Sequence, residues 1–292
     1  MAGADVSNLA SPPCVVVGVD GSRSALDTAL WAVDEAVSRD IPLRLVYAID
    51  PAEATGSDNQ AAAHDLATAE IAIRHAFTLV EATDKPVKIE VEILQGRPVP
   101  TLKHASRSAA MLCVGSSGLK SCTRGRIGST ASAVATGAHC PVAIVQPSTK
   151  ANRFGQIVAE VSQSPSSDAV LRRALEEARL RQAPVSVVTT WQPRYTDIHD
   201  SHAVAAGNRL ARSRLDRRLA GWRKRHPDLE IEAVAVHGSF LNYLAANAQS
   251  IQLIVVAHDR AHGLGELVGP GGYGALRNGN CSVLICDPQN VL

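Results

Sequence analysis

A loop rich in glycine, hydroxyl and basic side chains carries the clearest chemistry in the sequence. Its chemistry-bearing residues are Gly115, Ser116, Gly118, Lys120, Arg124, Arg126, Gly128, Ser129 and Thr130. Glycines let backbone amides approach an anion with no Cβ in the way, and a helix that begins at Ser129 adds free N–H donors. The pattern predicts a phosphate-binding loop. A flexible surface loop with an ordinary serine cap is the alternative interpretation.

Short apolar runs alternate with helical patterns around this loop. Strands are predicted at Cys14–Val19, Leu43–Ile49, Val87–Leu94, Met111–Gly115 and Pro141–Val145, and helices at Ser22–Arg39, Ala61–Ala82, Pro98–Ser108 and from Ser129 to about Gly137. Such alternation is typical of an α/β fold with a parallel sheet covered on both faces. A doubly wound five-stranded sheet in the order 3-2-1-4-5 is predicted. Its ligand crevice lies beyond strands one and four, where Asp20 faces the glycine loop.

The sequence repeats itself along its length. With a shift of 142 residues, Val19 aligns with Val161 and Glu35 aligns with Glu177. Near the end the shift becomes 141 residues, so that Cys140 aligns with Cys281. A register held over most of the chain indicates duplication. Two domains of the same fold are therefore predicted, at residues 1–149 and 154–292.

The composition fits a folded chain of about two domains, since domains typically contain roughly 100–200 residues. The chain has 292 residues, of which 46% are hydrophobic and 20% are charged. A net charge of +1 gives no bulk attraction to nucleic acid or to a membrane surface. Apolar runs are strand-sized, so no membrane span is predicted. The absence of a signal-peptide pattern and the cysteines in apolar runs favour a cytoplasmic location.

Three motifs together resemble the universal stress protein family. The spacing Gly115-x2-Gly118-x9-Gly128-Ser129 is similar to the ATP-binding pattern of that family. Residues 16–22 resemble its first strand, and residues 138–142 resemble its entry into strand five. The resemblance covers nearly the whole chain and points to the tandem-domain type common in actinobacteria. It implies the strand order 3-2-1-4-5, an ATP site at the switch point and association through strand five.

The resemblance also implies roles for single residues. Asp20 would lie near the adenosine end or near a bound Mg²⁺, Gly18 would let the nucleotide approach strand one, and Val46 would meet the adenine through its backbone. The ribose and phosphates would be held by Gly115, Ser116, Gly118, Gly128, Ser129 and Thr130. Arg124 or Arg126 would reach the γ-phosphate. We expect a Cβ at Gly115 to press on the ligand and to be accepted by the fold.

The second copy departs from this pattern. In the 142-residue register the replacements are Glu160 for Gly18, Ser162 for Asp20, Ala257 for Gly115 and Arg260 for Gly118, and Pro270 follows Gly269 where Ser129 follows Gly128. Proline removes both a hydroxyl and a backbone donor. We therefore expect the second domain not to bind ATP in this way, with retained weak binding through other glycines as the alternative.

Three functions are compatible with the sequence. The first is a regulatory or stress-response protein that binds ATP without efficient catalysis. The second is a slow nucleotide hydrolase or transferase, for which no activated nucleophile or paired carboxylates appear near the loop. The third is an interaction scaffold that binds no nucleotide. The first is predicted, with at most slow ATP hydrolysis.

Two further expectations concern surfaces. Basic residues concentrate in Arg209–Arg225, which we interpret as a solvated helix face, with an acidic partner or anionic surface as the alternative. Each domain ends its sheet with an apolar strand, Pro141–Val145 or Ser282–Cys286. Exposed strand edges pair readily. The two domains are thus predicted to form an intramolecular pseudo-dimer, with a true homodimer as a further step.

Overall fold

The structure is a computed structural model that describes residues 12–50, 59–119, 126–147, 154–192, 201–260 and 262–286. The first half comprises β1 (Cys14–Gly18), α1 (Arg23–Arg39), β2 (Leu43–Ile49), α2 (Asn59–Glu81), β3 (Ile89–Gln95), α3 (Pro98–Ala105), β4 (Ala109–Gly115), α4 (Ser129–Ala135) and β5 (Val142–Val145). The second half comprises β6 (Gln156–Glu160), α5 (Ser167–Arg181), β7 (Val185–Trp191), α6 (Ser201–Arg225), β8 (Ile231–His237), α7 (Phe240–Asn247), β9 (Ile251–Ala257), α8 (Gly265–Val268), α9 (Pro270–Gly279) and β10 (Ser282–Cys286). The predicted α/β fold is confirmed, and the bounds in the first half differ from the prediction by at most three residues.

Helix α1 shows how the local sequence sets an element. Ser22 caps its first turn, because the Ser22 Oγ accepts a hydrogen bond of 3.2 Å from the Ala25 amide. The face that carries Ala29 and Val33 is fully buried. Asp40 ends the helix in a left-handed conformation with φ of 52°. The chain then turns and enters β2.

All ten strands described form one sheet in the order β3-β2-β1-β4-β5-β10-β9-β6-β7-β8. Every neighbouring pair is parallel except β5 with β10. One face packs against α1, α2, α5 and α6, and the other packs against α3, α4, α7, α8 and α9. Central strands are covered on both sides, so they are nearly continuous apolar runs.

Strands β5 and β10 join the two halves of the sheet. They pair antiparallel, with Ile144 opposite Val283 and Val142 opposite Ile285. This pairing confirms the predicted intramolecular pseudo-dimer. Each half supplies the same strand to the junction, as in an isologous twofold interface.

A cluster of four ionisable side chains lies where α1 and α5 meet above this junction. Arg39 Nη1 lies 2.6 Å from Glu35 Oε2, Arg181 Nη2 lies 2.7 Å from Glu35 Oε1, and Arg181 also contacts Glu177. Both carboxylates are fully buried. Burial and the neighbouring Glu35 raise the pKa of Glu177 to about 8. Burial opposes ionisation of Glu35 as well, but Arg181 and Arg39 together hold its pKa below the usual value.

Candidate functional site

Asp20 connects the two sides of the predicted crevice. It follows β1, and its Oδ1 accepts a hydrogen bond of 2.9 Å from the Ser22 amide. Its Oδ2 accepts one of 3.2 Å from the Leu119 amide beyond β4. Gly21 turns the chain between them with φ of 83°, a conformation that glycine adopts without strain. The structure therefore brings Asp20 and the start of the glycine loop together, as the strand order predicts.

Two glycines leave room at the mouth of the crevice for different reasons. A Cβ on Gly118 would lie 2.8 Å from Asp20 Oδ2, so Gly118 lets that carboxylate approach the loop. A Cβ on Gly128 would meet nothing closer than the Ser116 carbonyl oxygen at 3.6 Å, which is ordinary contact. Its φ of −55° also suits any residue. The fold itself does not require glycine at position 128, since a Cβ there would make only ordinary contacts with the described residues.

Helix α4 begins directly after Gly128, which is its N-cap. The first turn of a helix has amides with no acceptor inside the helix. Ser129 is exposed and Thr130 is half-buried in this turn, and Arg126 is exposed just before it. These residues can present N–H, hydroxyl and guanidinium donors to an anion. Arg124 lies outside the described residues.

Ser116 is placed differently from what the resemblance implies. Its side chain is buried, and its Oγ donates a hydrogen bond of 2.9 Å to Gln146 Oε1 at the end of β5. Its carbonyl oxygen accepts from the Gly128 amide at 2.9 Å. Ser116 thus links β5 to the start of α4 through bonds within the protein. Its hydroxyl is turned toward Gln146.

The expectation for Gly115 is wrong in its physical reason. A Cβ on Gly115 would lie 2.5 Å from the Oγ of Ser24 and 3.0 Å from its Cβ. The glycine therefore allows α1 to pack on the end of β4, and a side chain would strike that helix. In the second domain Ala257 stands at this position, and α5 begins at Ser167, two residues later than α1 in the repeat register.

Gly18 and Val46 are both part of the packed sheet. A Cβ on Gly18 would lie 3.1 Å from Leu102 Cδ1, so α3 occupies the space in front of it. Val46 is buried in β2, and its carbonyl oxygen accepts a hydrogen bond of 2.8 Å from the Val19 amide. Their contacts with a nucleotide remain predictions.

The corresponding crevice of the second domain is filled by one side chain. The Arg260 guanidinium binds both carboxylate oxygens of Glu160, from Nε at 2.8 Å and from Nη2 at 2.9 Å. Its Nη1 binds the Gly263 carbonyl oxygen and Glu266 Oε2, each at 2.8 Å. Burial would lower the Arg260 pKa, but the bonds with Glu160 and Glu266 raise it. Arg260 and Glu160 stand where the first domain has Gly118 and Gly18.

The second crevice also has its carboxylate at the end of a different strand from the first crevice. Ser162, which replaces Asp20, accepts a hydrogen bond of 3.1 Å from the Ser164 amide. The carboxylate comes instead from Asp259 after β9, whose Oδ2 accepts from Ser164 Oγ at 3.0 Å. Hydrogen bonds from Ser166 and Ser164 hold the Asp259 pKa below its usual value. Neither Asp259 nor Glu266 was identified from the sequence, because no motif spacing marks them.

The described residues form neither a metal-ligand cluster nor a membrane-spanning helix. No group of three or more histidine, cysteine or acidic side chains lies close enough to hold a metal ion there. In the same part of the chain, no helix combines the length and the apolar character that crossing a bilayer requires.

A doubly wound α/β fold that occurs twice in one chain, with a glycine-lined crevice at the switch point of the first copy, places the protein among the tandem-domain α/β proteins. A sequence model of the Universal stress protein family matches residues 14–146 and 153–287. The chain belongs to that family.

Proteins of Mycobacterium tuberculosis are similar to this chain over nearly its whole length. Universal stress protein Rv2028c and Universal stress protein Rv3134c, both of Mycobacterium tuberculosis, are each 46% identical over 281 residues, covering 95% of this chain and 97% of theirs. The crystal structure of a universal stress protein from Archaeoglobus fulgidus DSM 4304 is similar with a TM-score of 0.69 at 14% identity. That match covers 94% of this chain and 96% of the other, and it supports the fold.

Proposed function

We propose that this protein is a non-catalytic, ATP-binding regulator in stress adaptation, with one nucleotide per chain held by the first domain. The contrast between the two crevices is the observation that carries this proposal. In the first, the residues at the matching positions are Gly18 and Gly118, and a Cβ on Gly128 would meet nothing closer than 3.6 Å before the first turn of α4. In the second, the Arg260 side chain is 3% exposed and occupies the corresponding space.

The first-domain residues fit a nucleotide with Mg²⁺. The free amides of Ser129 and Thr130, their hydroxyls and the exposed Arg126 suit phosphate oxygens. Asp20 uses one lone pair on each carboxylate oxygen for the bonds described above, and a carboxylate offers about four such sites. Mg²⁺ bound beside it would neutralise phosphate charge.

The second domain suggests a substitution that tests this assignment. Ser129 and Pro270 each occupy the first position of a helix after a glycine cap, in α4 and α9. Proline is tolerated at that position, so Ser129→Pro should fold while losing the amide and hydroxyl donors. Loss of hydrogen bonds to a charged ligand costs about 1.5–3 kcal/mol, which corresponds to roughly 10–150-fold weaker ATP binding.

Titration calorimetry with ATP and Mg²⁺ measures both affinity and stoichiometry. Ser129→Ala is the matched control, because it removes the hydroxyl and keeps the amide. We expect one site in the wild type, a small loss in Ser129→Ala and a large loss in Ser129→Pro. Two equivalent sites, or equal affinity in wild type and Ser129→Pro, would contradict the proposal. Turnover of bound ATP above trace levels would favour an enzyme.

A further inference from the structure

The segment Arg209–Arg225 of α6 carries the densest run of basic side chains in the described part of the chain. Its basic residues are Arg209, Arg212, Arg214, Arg217, Arg218, Arg223, Lys224 and Arg225, against the single acid Asp216. Arg214 stands three residues before Arg217 and four before Arg218, so like charges meet on the helix surface. Such pairs weaken a helix slightly. The helix therefore retains charges that oppose its own stability.

Most of these charges face solvent and are not neutralised by the protein. Arg209, Arg214 and Arg217 are exposed, and the structure shows no carboxylate paired with them among the described residues. Arg212 reaches Glu232 only at 3.7 Å, and each side chain is 59% exposed. A weak pair of this kind is readily exchanged for an incoming carboxylate.

The fold does not account for this basic face. In the repeat register, Arg209, Arg212 and Arg217 correspond to Ala67, Glu70 and His75 of α2. The first domain builds the same helix without the charges. The apolar residues that dock α6 on the sheet, Leu215 and Leu219, are buried.

A groove between α6 and the edge strand β8 continues this surface. Its volume is about 240 Å³, and it is lined by Asn208, Arg209, Arg212, Glu232, Ala233, Val234 and Ala235. Strand β8 ends the sheet and pairs only with β7 among the described strands. The groove combines guanidinium groups with small side chains and one acid. It suits an elongated chain of mixed polar character.

We propose that the exposed face of α6, with the groove beside β8, binds a carboxylate-rich polypeptide segment of a partner protein. Arginine matches carboxylates through paired N–H donors. A polypeptide can also place its acids at Arg209 and Arg217 and avoid Asp216 and Glu232. A nucleic-acid strand has phosphate at every nucleotide and meets repulsion from those acids.

Two other occupants fit less well. Base stacking needs an exposed aromatic ring, but the Trp222 ring is half-buried and covered by the Arg225 guanidinium, 4.3 Å from its centroid. Membrane binding needs an apolar face free to insert. The apolar side of α6 is packed on the sheet, and Leu210, 51% exposed, is the large apolar side chain that it exposes.

Fluorescence anisotropy with the full chain tests this proposal. The probes are a labelled poly-glutamate peptide and a thymidine oligonucleotide of equal charge, each at low and at physiological ionic strength. The test variant combines Arg209→Gln, Arg212→Gln and Arg217→Gln. We expect the peptide to bind the wild type and the variant to bind it at least about tenfold more weakly, with unchanged thermal unfolding.

A charge-matched control separates a specific face from bulk charge. It combines Arg74→Gln, Arg107→Gln and Arg277→Gln, three exposed residues outside α6. This control should bind poly-glutamate like the wild type. The proposal is overturned if the control loses affinity as much as the α6 variant, if the peptide fails to bind at low ionic strength, or if the oligonucleotide binds more tightly than the peptide.

Discussion

Arg260 provides the sharpest test of how the second crevice is closed. The Arg260 Cζ lies 5.8 Å from the centroid of the Phe240 ring. Replacement by methionine keeps much of the side-chain length over that ring and removes the guanidinium. It leaves the carboxylates of Glu160 and Glu266, 11% and 24% exposed, without their cation. Removing one partner of a buried ion pair costs about 3–5 kcal/mol. Because Glu266 is partly solvated, we expect the lower end, about 3 kcal/mol, for Arg260→Met.

A double-mutant cycle with Glu160→Gln isolates the pair itself. If the cost of Arg260→Met comes mainly from the stranded Glu160 carboxylate, the double variant should regain about 2 kcal/mol relative to the sum of the single changes. Urea unfolding followed by tryptophan fluorescence is a suitable assay, since Trp191 and Trp222 both lie in the second domain. Arg277→Met is the exposed control and should be nearly neutral.

A loss below about 1 kcal/mol for Arg260→Met, or simple additivity in the cycle, would contradict a closed second crevice. Either result would mean that water screens the ion pair, as it does for surface pairs. The second crevice would then be open in solution, and a second nucleotide would have room to bind there.

Three more predictions follow from the packing. Gly115→Ala should destabilise the first domain by about 1–3 kcal/mol in urea unfolding, because its Cβ meets Ser24, and Gly128→Ala, which has room, should not. The folded-state pKa of Glu177, about 8, lies above its unfolded value, so its contribution to the free energy of unfolding is lost as pH rises toward and through 8. The stability of Glu177→Gln relative to the wild type should therefore increase from pH 5 to pH 9. A difference in the free energy of unfolding that stays constant over this range would contradict the prediction. A fragment of residues 1–148 should self-associate in analytical ultracentrifugation because β5 loses β10, whereas a strictly monomeric fragment would argue against the junction.

The fold was predictable because the apolar runs that mark its strands are local sequence patterns and because the repeat presents the same pattern in both halves of the chain. Alternating apolar runs fix the strands, and the match of Val19 with Val161 extends the same reading to the second half. The pairing of β5 with β10 follows from two apolar edges in one chain. The position of Asp20 follows from the strand order, since parallel strands end at one edge.

The details of each crevice depended on distances that sequence patterns do not contain. Glycine at 115 looked like space for a ligand, but the start of α1 places Ser24 there. Glu160 and Arg260 looked like two separate obstacles, and they form one ion pair across 100 residues. No periodicity connects positions so far apart. Only the folded chain shows that each replacement compensates the other.

The antiparallel junction of β5 with β10 has a consequence for how such a molecule changes over generations. In a dimer of identical chains, any substitution in one crevice also appears in the other. An arginine such as Arg260 would therefore be present in both crevices. Covalent linkage of the two halves removes that constraint. One half is free to accumulate a matched Glu160–Arg260 pair and a basic α6, while the other keeps its glycines. The two halves of one continuous sheet can therefore accumulate different substitutions and take on different roles.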